Sequence, residues 1–140
     1  MAKPFFDIKR EGKSGEELAI RLRGNTFQYG DKFVDLYRIG QLGKVVGRKA
    51  STIRMWEGHN EKKGLVNFPR PKWKVETSNK FLNNPGGQAV ERFYSEAQLQ
   101  MIDTLVLKYG VYGQVQSQAI NPRFFEEVNE LFYTVDDLED

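Results

Sequence analysis

Two short runs of apolar residues at helical spacing, separated by a three-residue turn that contains one glycine, constrain the fold of this chain more than any other feature. The first run covers residues 39–46, and Gly47 follows at a position where helices commonly stop. The second covers residues 50–57 and places Ile53 and Trp56 three positions apart on one face. Such a pair, joined by three or four residues, is typical of a helix-turn-helix, although a plain αα-corner has the same pattern.

The segment before these helices has the period-2 alternation of β-strands. Residues 5–10 and 17–23 are predicted to be extended, because apolar and polar side chains alternate along the second of them. A short helix is the alternative there, since residues 14–17 fit a helix-capping box. Residues 26–37 are predicted to form a hairpin that turns at Gly30-Asp31.

Helical spacing disappears again between residues 65 and 94. Residues 72–76 alternate charged and apolar side chains, as an edge strand with one solvated face would. Residues 83–87, Asn-Asn-Pro-Gly-Gly, are a dense turn signal, and residues 88–94 can return as the partner strand. The pattern therefore predicts a long β-hairpin.

Two further helices are predicted in the last third of the chain. Ser95–Gln98 is a capping box, and Gly110 is the expected stop of the helix that it opens. Asn121 and Pro122 open a final amphipathic helix as N-cap and first helical residue. Its apolar stripe is either core or the surface for a homodimer or protein partner. The stripe consists of Phe124, Phe125, Val128, Leu131 and Phe132.

These elements predict an α+β chain organised in three parts. Residues 1–36 form a small β-rich N-terminal appendage. Residues 37–110 form a winged helix-turn-helix with a long β-hairpin wing. Residues 111–140 contain a polar linker, the amphipathic helix and an acidic tail.

Charge is distributed unevenly along the chain. The net charge of +2 divides into +2 over residues 1–43, +7 over residues 44–80 and −7 over residues 81–140. A basic middle segment points to a polyanionic partner such as nucleic acid. The alternative is an ordinary solvated basic surface.

The residue types that are missing exclude several functions. No cysteine is present, which excludes disulfides, thiolate chemistry and cysteine-based zinc modules, and the single His59 disfavours an imidazole metal site. No phosphate loop, catalytic triad or supported carboxylate pair is found, so we expect no enzyme activity and no cofactor. A metal nuclease built from scattered Asp and Glu is the alternative.

Without a signal-peptide core or an 18-residue apolar stretch, we expect a soluble intracellular protein with no membrane partner.

Residues 37–105 resemble the DNA-binding domain of the MerR and excisionase winged-helix families. The matching stretches are Tyr37–Gly47, Ser51–Glu57 (Ser-Thr-Ile-Arg-Met-Trp-Glu), Gly64-Leu65 leading to a proline, and Arg92–Leu99. In those families the first helix ends in a glycine-containing turn. The recognition helix then carries Thr-(Ile/Val)-Arg-x-(Trp/Tyr), and the wing returns on an Arg-x-Tyr element.

The chain departs from MerR regulators in three ways. Thirty-six residues precede the domain, only 30 follow Gly110, and Lys49 occupies the usual serine or aspartate N-cap position. The resemblance therefore implies the DNA-binding module without the small-molecule sensor. Small phage proteins that act in excision, DNA packaging or transcriptional takeover are similar in size. We accordingly expect this protein in the cytoplasm of a bacterial or phage-infected cell.

A helix in the major groove reads base edges, while flanking basic groups bind phosphates. Arg54 is the expected guanine contact; a phosphate contact or a salt bridge with Glu57 is the alternative. Trp56 and Tyr94 are expected in the core rather than on DNA. The complete set of predicted DNA-binding residues is Arg48, Lys49, Ser51, Thr52, Arg54, Met55, Lys62, Lys63, Arg70, Lys72, Lys74 and Arg92.

The sequence thus favours a sequence-specific double-stranded DNA-binding protein, either a transcriptional regulator or a recombination or packaging accessory factor. The alternative is a protein-interaction factor that uses its winged helix to dock on RNA polymerase or a packaging motor. A docking scaffold alone has no need of a net charge of +7 within residues 44–80.

Overall fold

The computed structural model describes residues 4–12, 14–77, 89–114 and 116–136. Over these ranges the chain is an α+β protein with four α-helices and two small antiparallel sheets, and the predicted class is confirmed. Two short 3-10 turns follow the second and third helices, at Asn60–Lys63 and Ser117–Ala119. The strands are β1 (Phe5–Glu11), β2 (Glu17–Arg23), β3 (Asn25–Tyr29), β4 (Lys32–Arg38), β5 (Trp73–Thr77) and β6 (Ala89–Ser95). The helices are α1 (Ile39–Val46), α2 (Ala50–His59), α3 (Glu96–Tyr109) and α4 (Pro122–Leu131).

Strands β1 and β2 form their own two-stranded sheet, so the strand prediction for residues 17–23 is confirmed and the helix alternative is wrong. Ile8 and Leu22 bury their side chains in the main core. Arg10 joins this sheet to the helices through an ion pair of 2.6 Å with Asp103 of α3. Its guanidinium also donates a 2.7 Å hydrogen bond to the carbonyl of Val45 in α1. The hairpin is therefore held on the helices by both apolar and ionic contacts.

The second sheet has four strands in the order β3-β4-β6-β5. The predicted hairpin at Gly30-Asp31 supplies β3 and β4, and β4 pairs with β6 through Tyr37 opposite Tyr94. The predicted wing supplies β5 and β6. Its predicted turn at residues 83–87 lies outside the described residues. The domain boundary predicted between residues 36 and 37 falls inside β4. This strand connects the two predicted parts, because it pairs with β3 on one side and with β6 on the other.

Helices α1 and α2 and the turn between them follow the sequence pattern closely. Gly47 ends α1 in the left-handed region, with φ 76°. A side chain there would also collide with the ring of Tyr112, since an added Cβ would lie 2.8 Å from it. Lys49 precedes α2 and makes no side-chain capping bond. Helix α2 continues to His59, two residues beyond the predicted end.

Helices α3 and α4 begin at the predicted caps. The amide of Gln98 donates to the hydroxyl of Ser95, and the Gln98 side chain accepts from the Ser95 amide, which completes a capping box. The Asn121 side chain accepts from the Arg123 amide at the start of α4. Gly110 ends α3 with φ 62°. Local sequence signals therefore set both helices.

The apolar stripe of α4 is part of the core. Phe124, Phe125, Val128 and Phe132 have no exposed surface, whereas Leu131 is 39% exposed. Of the two alternatives for this stripe, the core is therefore confirmed for these four residues, because α4 folds back against α3 and α2. The segment between α3 and α4 makes this possible: Val111 and Ile120 are buried, and the Gly113 amide donates to the Val46 carbonyl at 2.9 Å.

Candidate nucleic-acid interface

Helix α2 has one face that packs on the core and one face that is exposed to solvent. Ile53 and Trp56 are buried, whereas Ser51, Arg54 and Met55 are exposed; Met55 retains 52% of its surface. Thr52 is half-buried at the edge between the two faces. The predicted base-reading residues of α2 therefore share one accessible face, apart from the partial burial of Thr52.

An aromatic cluster holds α2 from behind. The Trp56 ring centroid lies 5.8 Å from that of Phe68 and 5.4 Å from that of Phe125, the second pair packing edge to face. The Trp56 carbonyl also accepts a 3.0 Å hydrogen bond from the Phe68 amide. Trp56 and Tyr94 are 2% and 1% exposed, so their predicted place in the core is confirmed. A rigid support of this kind fixes the outer face of α2.

A basic depression of about 450 Å³ lies where α1 turns into α2. Lys44, Arg48 and Lys49 line it together with three glycines of α1 and its turn. An added Cβ on Gly43 would come within 2.5 Å of the Arg48 carbonyl oxygen, so the glycine lets α1 approach the turn. The half-buried Arg48 has a buried Nε without a hydrogen-bond partner in the described part of the chain. A helix N-terminus flanked by cations in this way favours anions.

The other predicted cations flank α2 on its C-terminal side. Lys62 and Lys63 are exposed in the 3-10 turn that follows α2, and Arg70 and Lys72 are exposed in the loop before β5. Tyr133 holds that loop, because its hydroxyl donates to the Arg70 carbonyl at 2.6 Å and the Lys72 ammonium lies 5.4 Å from its ring centroid. Lys74 lies on β5 in register with Arg92 of β6. The position of the Lys74 side chain lies outside what the structure describes.

Arg92 is tied to a buried carboxylate rather than standing free in solvent. Its guanidinium lies 3.4 Å from Oε1 of Glu57, whose side chain is only 3% exposed. Burial raises the pKa of the Glu57 carboxyl, and the positive charges of Arg92, Arg70 and Arg54 oppose that rise. The alternative prediction of a salt bridge between Arg54 and Glu57 is wrong, because the described residues form no such ion pair. Arg54 acts on Glu57 by electrostatic attraction at longer range.

Two cations of this surface were absent from the predicted site. Arg38 ends β4 and faces a cavity of about 340 Å³ that Arg54 and Arg92 also line, here called the arginine cavity. Lys44 lies in the last turn of α1, beside Arg48 and Lys49. The charge count of the basic segment includes Lys44, which could have been found that way. Arg38 had no sequence signal, because its place depends on the pairing of β4 with β6.

Cations elsewhere in the protein are largely neutralised by carboxylates. Arg10 pairs with Asp103, Arg21 with Asp7, and Arg123 with three glutamates of α4. Among the described residues, by contrast, no carboxylate pairs with Lys44, Arg48, Lys49, Arg54, Lys62 or Arg70. The surface around α2 therefore carries uncompensated positive charge.

Comparison with protein-family models, with curated proteins and with solved structures gave no match. The described residues contain no group of three or more His, Cys, Asp or Glu side chains placed to hold a metal ion. Within the same ranges, none of the helices has the length and apolar character needed to cross a bilayer. The exposed face of α2 and the positive charge around it are therefore the features of the protein that bear on its function.

Proposed function

We propose that the protein binds double-stranded DNA sequence-specifically, with α2 as recognition helix and β5–β6 as the wing of a winged helix-turn-helix. The element order supports this assignment: a short helix, a three-residue turn at residues 47–49, a second helix, an antiparallel strand pair and a third helix. The β3–β4 hairpin is an addition to that plan, because it pairs with β6 and extends the two-stranded wing to a four-stranded sheet.

The observation that carries the proposal is the exposed face of α2 and the cations around it. Ser51, Arg54 and Met55 project from a helix whose other face is fixed by the Trp56 cluster. No carboxylate in the described ranges pairs with the cations at its N-terminus, Arg48 and Lys49. A helix with such an arrangement can place polar side chains on base edges while its flanks neutralise phosphates.

The proposed roles follow from these positions. Arg54 contacts a base edge, with Ser51, Thr52 and Met55 beside it on the same helix. Arg48 and Lys49 bind phosphate at the helix N-terminus. The remaining cations bind phosphate along the flanks; they are Lys62, Lys63, Arg70, Lys72, Lys74 and Arg92.

The biological setting that we propose is regulation of transcription, or an accessory role in recombination or DNA packaging, in a bacterial or phage-infected cell. The alternative, docking on RNA polymerase or a packaging motor, has less support. The sequence feature that favoured it was the aromatic stripe of α4, and four of its five residues are buried.

A salt titration of binding to random duplex DNA tests the proposal. Each neutralised phosphate releases counterions, so about half of the ten basic residues in segment 44–80 gives an expected log–log slope of roughly −4 to −6. No binding at about 50 mM salt, or a slope near zero, contradicts the proposal.

Two substitutions then separate base reading from phosphate binding. Arg54→Ala should cost about 1–3 kcal/mol on a selected cognate site and relax discrimination at one base position. Lys74→Ala should weaken all duplexes alike and make the slope shallower by about one unit. Arg123→Ala removes the same charge from α4 and serves as the matched control. Equal loss on cognate and random DNA for Arg54→Ala would make Arg54 a phosphate contact.

A further inference from the structure

Glu57 is a carboxylate whose burial is only partly compensated. It lies on α2, and its side chain is 3% exposed. Its Oε1 lies 3.4 Å from the Arg92 guanidinium, which is longer than the roughly 2.7–2.9 Å of a strong charge-assisted hydrogen bond. Its buried Oε2 has no hydrogen-bond partner among the described residues. A buried oxygen without a partner lowers stability, so the stability of the fold does not explain a carboxylate at this position.

The contact between Glu57 and Arg92 joins the proposed recognition helix to the proposed wing. Glu57 lies in the second half of α2, and Arg92 lies on β6, 35 positions later. Within the described part of the chain, this is the one hydrogen bond or ion pair between α2 and β6. The core beneath the two elements is apolar and includes Trp56 and Tyr94. Apolar packing is non-directional, so the ion pair is the contact that can fix the direction of the guanidinium.

Arg92 keeps donors that a ligand can use. A guanidinium carries about five N–H groups, and the hydrogen bond to Glu57 is the only one that the Arg92 side chain makes with the described residues. The Arg92 side chain is 33% exposed, so its remaining N–H groups reach solvent. A guanidinium that is held by a carboxylate presents its other N–H groups in a fixed direction, and phosphate oxygens accept such groups in pairs. The proposed function assigns Arg92 to phosphate, and Glu57 is the group that can orient it.

We propose that Glu57 is a positioning residue for DNA recognition, which orients the Arg92 guanidinium toward a backbone phosphate and so fixes how α2 lies on the duplex. Phosphate contacts of this kind set the register of a protein on DNA. This inference rests on the proposed function. The carboxylate has two effects of opposite sign. Its negative charge weakens the general attraction to DNA, and its contact with Arg92 favours the one placement in which α2 meets the cognate bases.

Glu57→Gln separates these two effects, because glutamine keeps the size and one acceptor oxygen of the side chain and removes its charge. Random duplex DNA should bind about threefold more tightly, with a salt slope steeper by up to about one unit. The ratio of cognate to random affinity should nevertheless fall about tenfold. The urea midpoint at pH 7 should stay equal to that of the wild type or rise, because burial disfavours the ionised carboxyl. Glu126→Gln removes the same charge from an ion pair of α4 and should change none of these quantities.

Arg92→Lys tests whether Glu57 acts through Arg92. Lysine keeps the positive charge but lacks the planar pair of donors, so random affinity should stay within about twofold while the cognate-to-random ratio falls about tenfold. Arg92→Lys combined with Glu57→Gln should lower the ratio no further than either change alone, since both remove the same contact. Additive losses in the double variant overturn the inference.

A measurement without DNA distinguishes the failure of this inference from that of the proposed function. The solvent exchange of the Arg92 Nε–H group, followed by NMR, should be about tenfold faster in Glu57→Gln than in the wild type and unchanged in Glu126→Gln. If the wild type binds DNA and Glu57→Gln keeps the cognate-to-random ratio within about twofold, the inference is overturned and the proposed function stands. Equal losses of cognate and random affinity with a lower urea midpoint make Glu57 a structural residue and also overturn it. If the wild type binds no duplex, the proposed function fails and the inference with it, even where the Arg92 signal responds to Glu57→Gln.

Discussion

Replacement of Phe124 by alanine tests whether α4 is core, on which the support of α2 depends. The Phe124 ring is fully buried, with centroids 6.4 Å from those of Trp56 and Phe68 and 5.4 Å from that of Phe125. Truncation of a buried phenylalanine to alanine costs about 3–5 kcal/mol, because the transfer free energy of the removed atoms is lost and an unfilled cavity remains in the core. The free energy of unfolding of a domain is only about 5–15 kcal/mol, so Phe124→Ala removes a large share of it.

Urea unfolding followed by tryptophan fluorescence measures this loss. With an m-value of about 2 kcal/mol per molar urea, a loss of 4 kcal/mol moves the midpoint down by about 2 M. Leu131→Ala, on the same helix but 39% exposed, is the matched control and should cost under about 1 kcal/mol. Sedimentation of both variants is compared with that of the wild type. The reasoning is refuted if Phe124→Ala keeps the wild-type midpoint and instead dissociates a dimer, because the stripe would then be an interface.

Three further perturbations test other parts of the structure. Glu57→Gln should gain stability relative to the wild type as the pH rises above about 4.5, because burial raises the pKa of Glu57 in the folded state and the ionised carboxyl is disfavoured there; a pH-independent difference in the urea midpoint contradicts this. Arg10→Met leaves Asp103 unpaired and should cost near the lower end of about 3–5 kcal/mol, and Arg10→Met with Asp103→Leu should recover most of it in thermal unfolding; no recovery means that the Val45 hydrogen bond dominates. Gly47→Ala should cost more than about 1 kcal/mol, since φ is 76° and the Cβ meets Tyr112, whereas Gly58→Ala in open space on α2 should be neutral or stabilising; equal effects in calorimetry would refute the steric argument.

Local sequence signals determined the secondary structure of this protein. The capping box at Ser95, the Asn121-Pro122 start and the glycines at positions 47 and 110 act within a few residues, and all four hold in the structure. The alternation in residues 17–23 also outweighed the local capping box that favoured a helix. The spacing of Ile53 and Trp56 likewise predicted the inner face of α2, and both residues are buried.

Only the tertiary structure decided which elements pair and which faces are covered. The pairing of β4 with β6 joins the β3–β4 hairpin to the β5–β6 strand pair, and it places Arg38 at the cavity that Arg54 and Arg92 also line. The sequence pattern of α4 is the same for a core helix and an interface helix. Four of the five residues of the α4 stripe are buried because the chain between α3 and α4 returns the helix to Trp56. Contacts between residues so distant along the chain depend on the packing of several elements at once. No periodicity within one element encodes them.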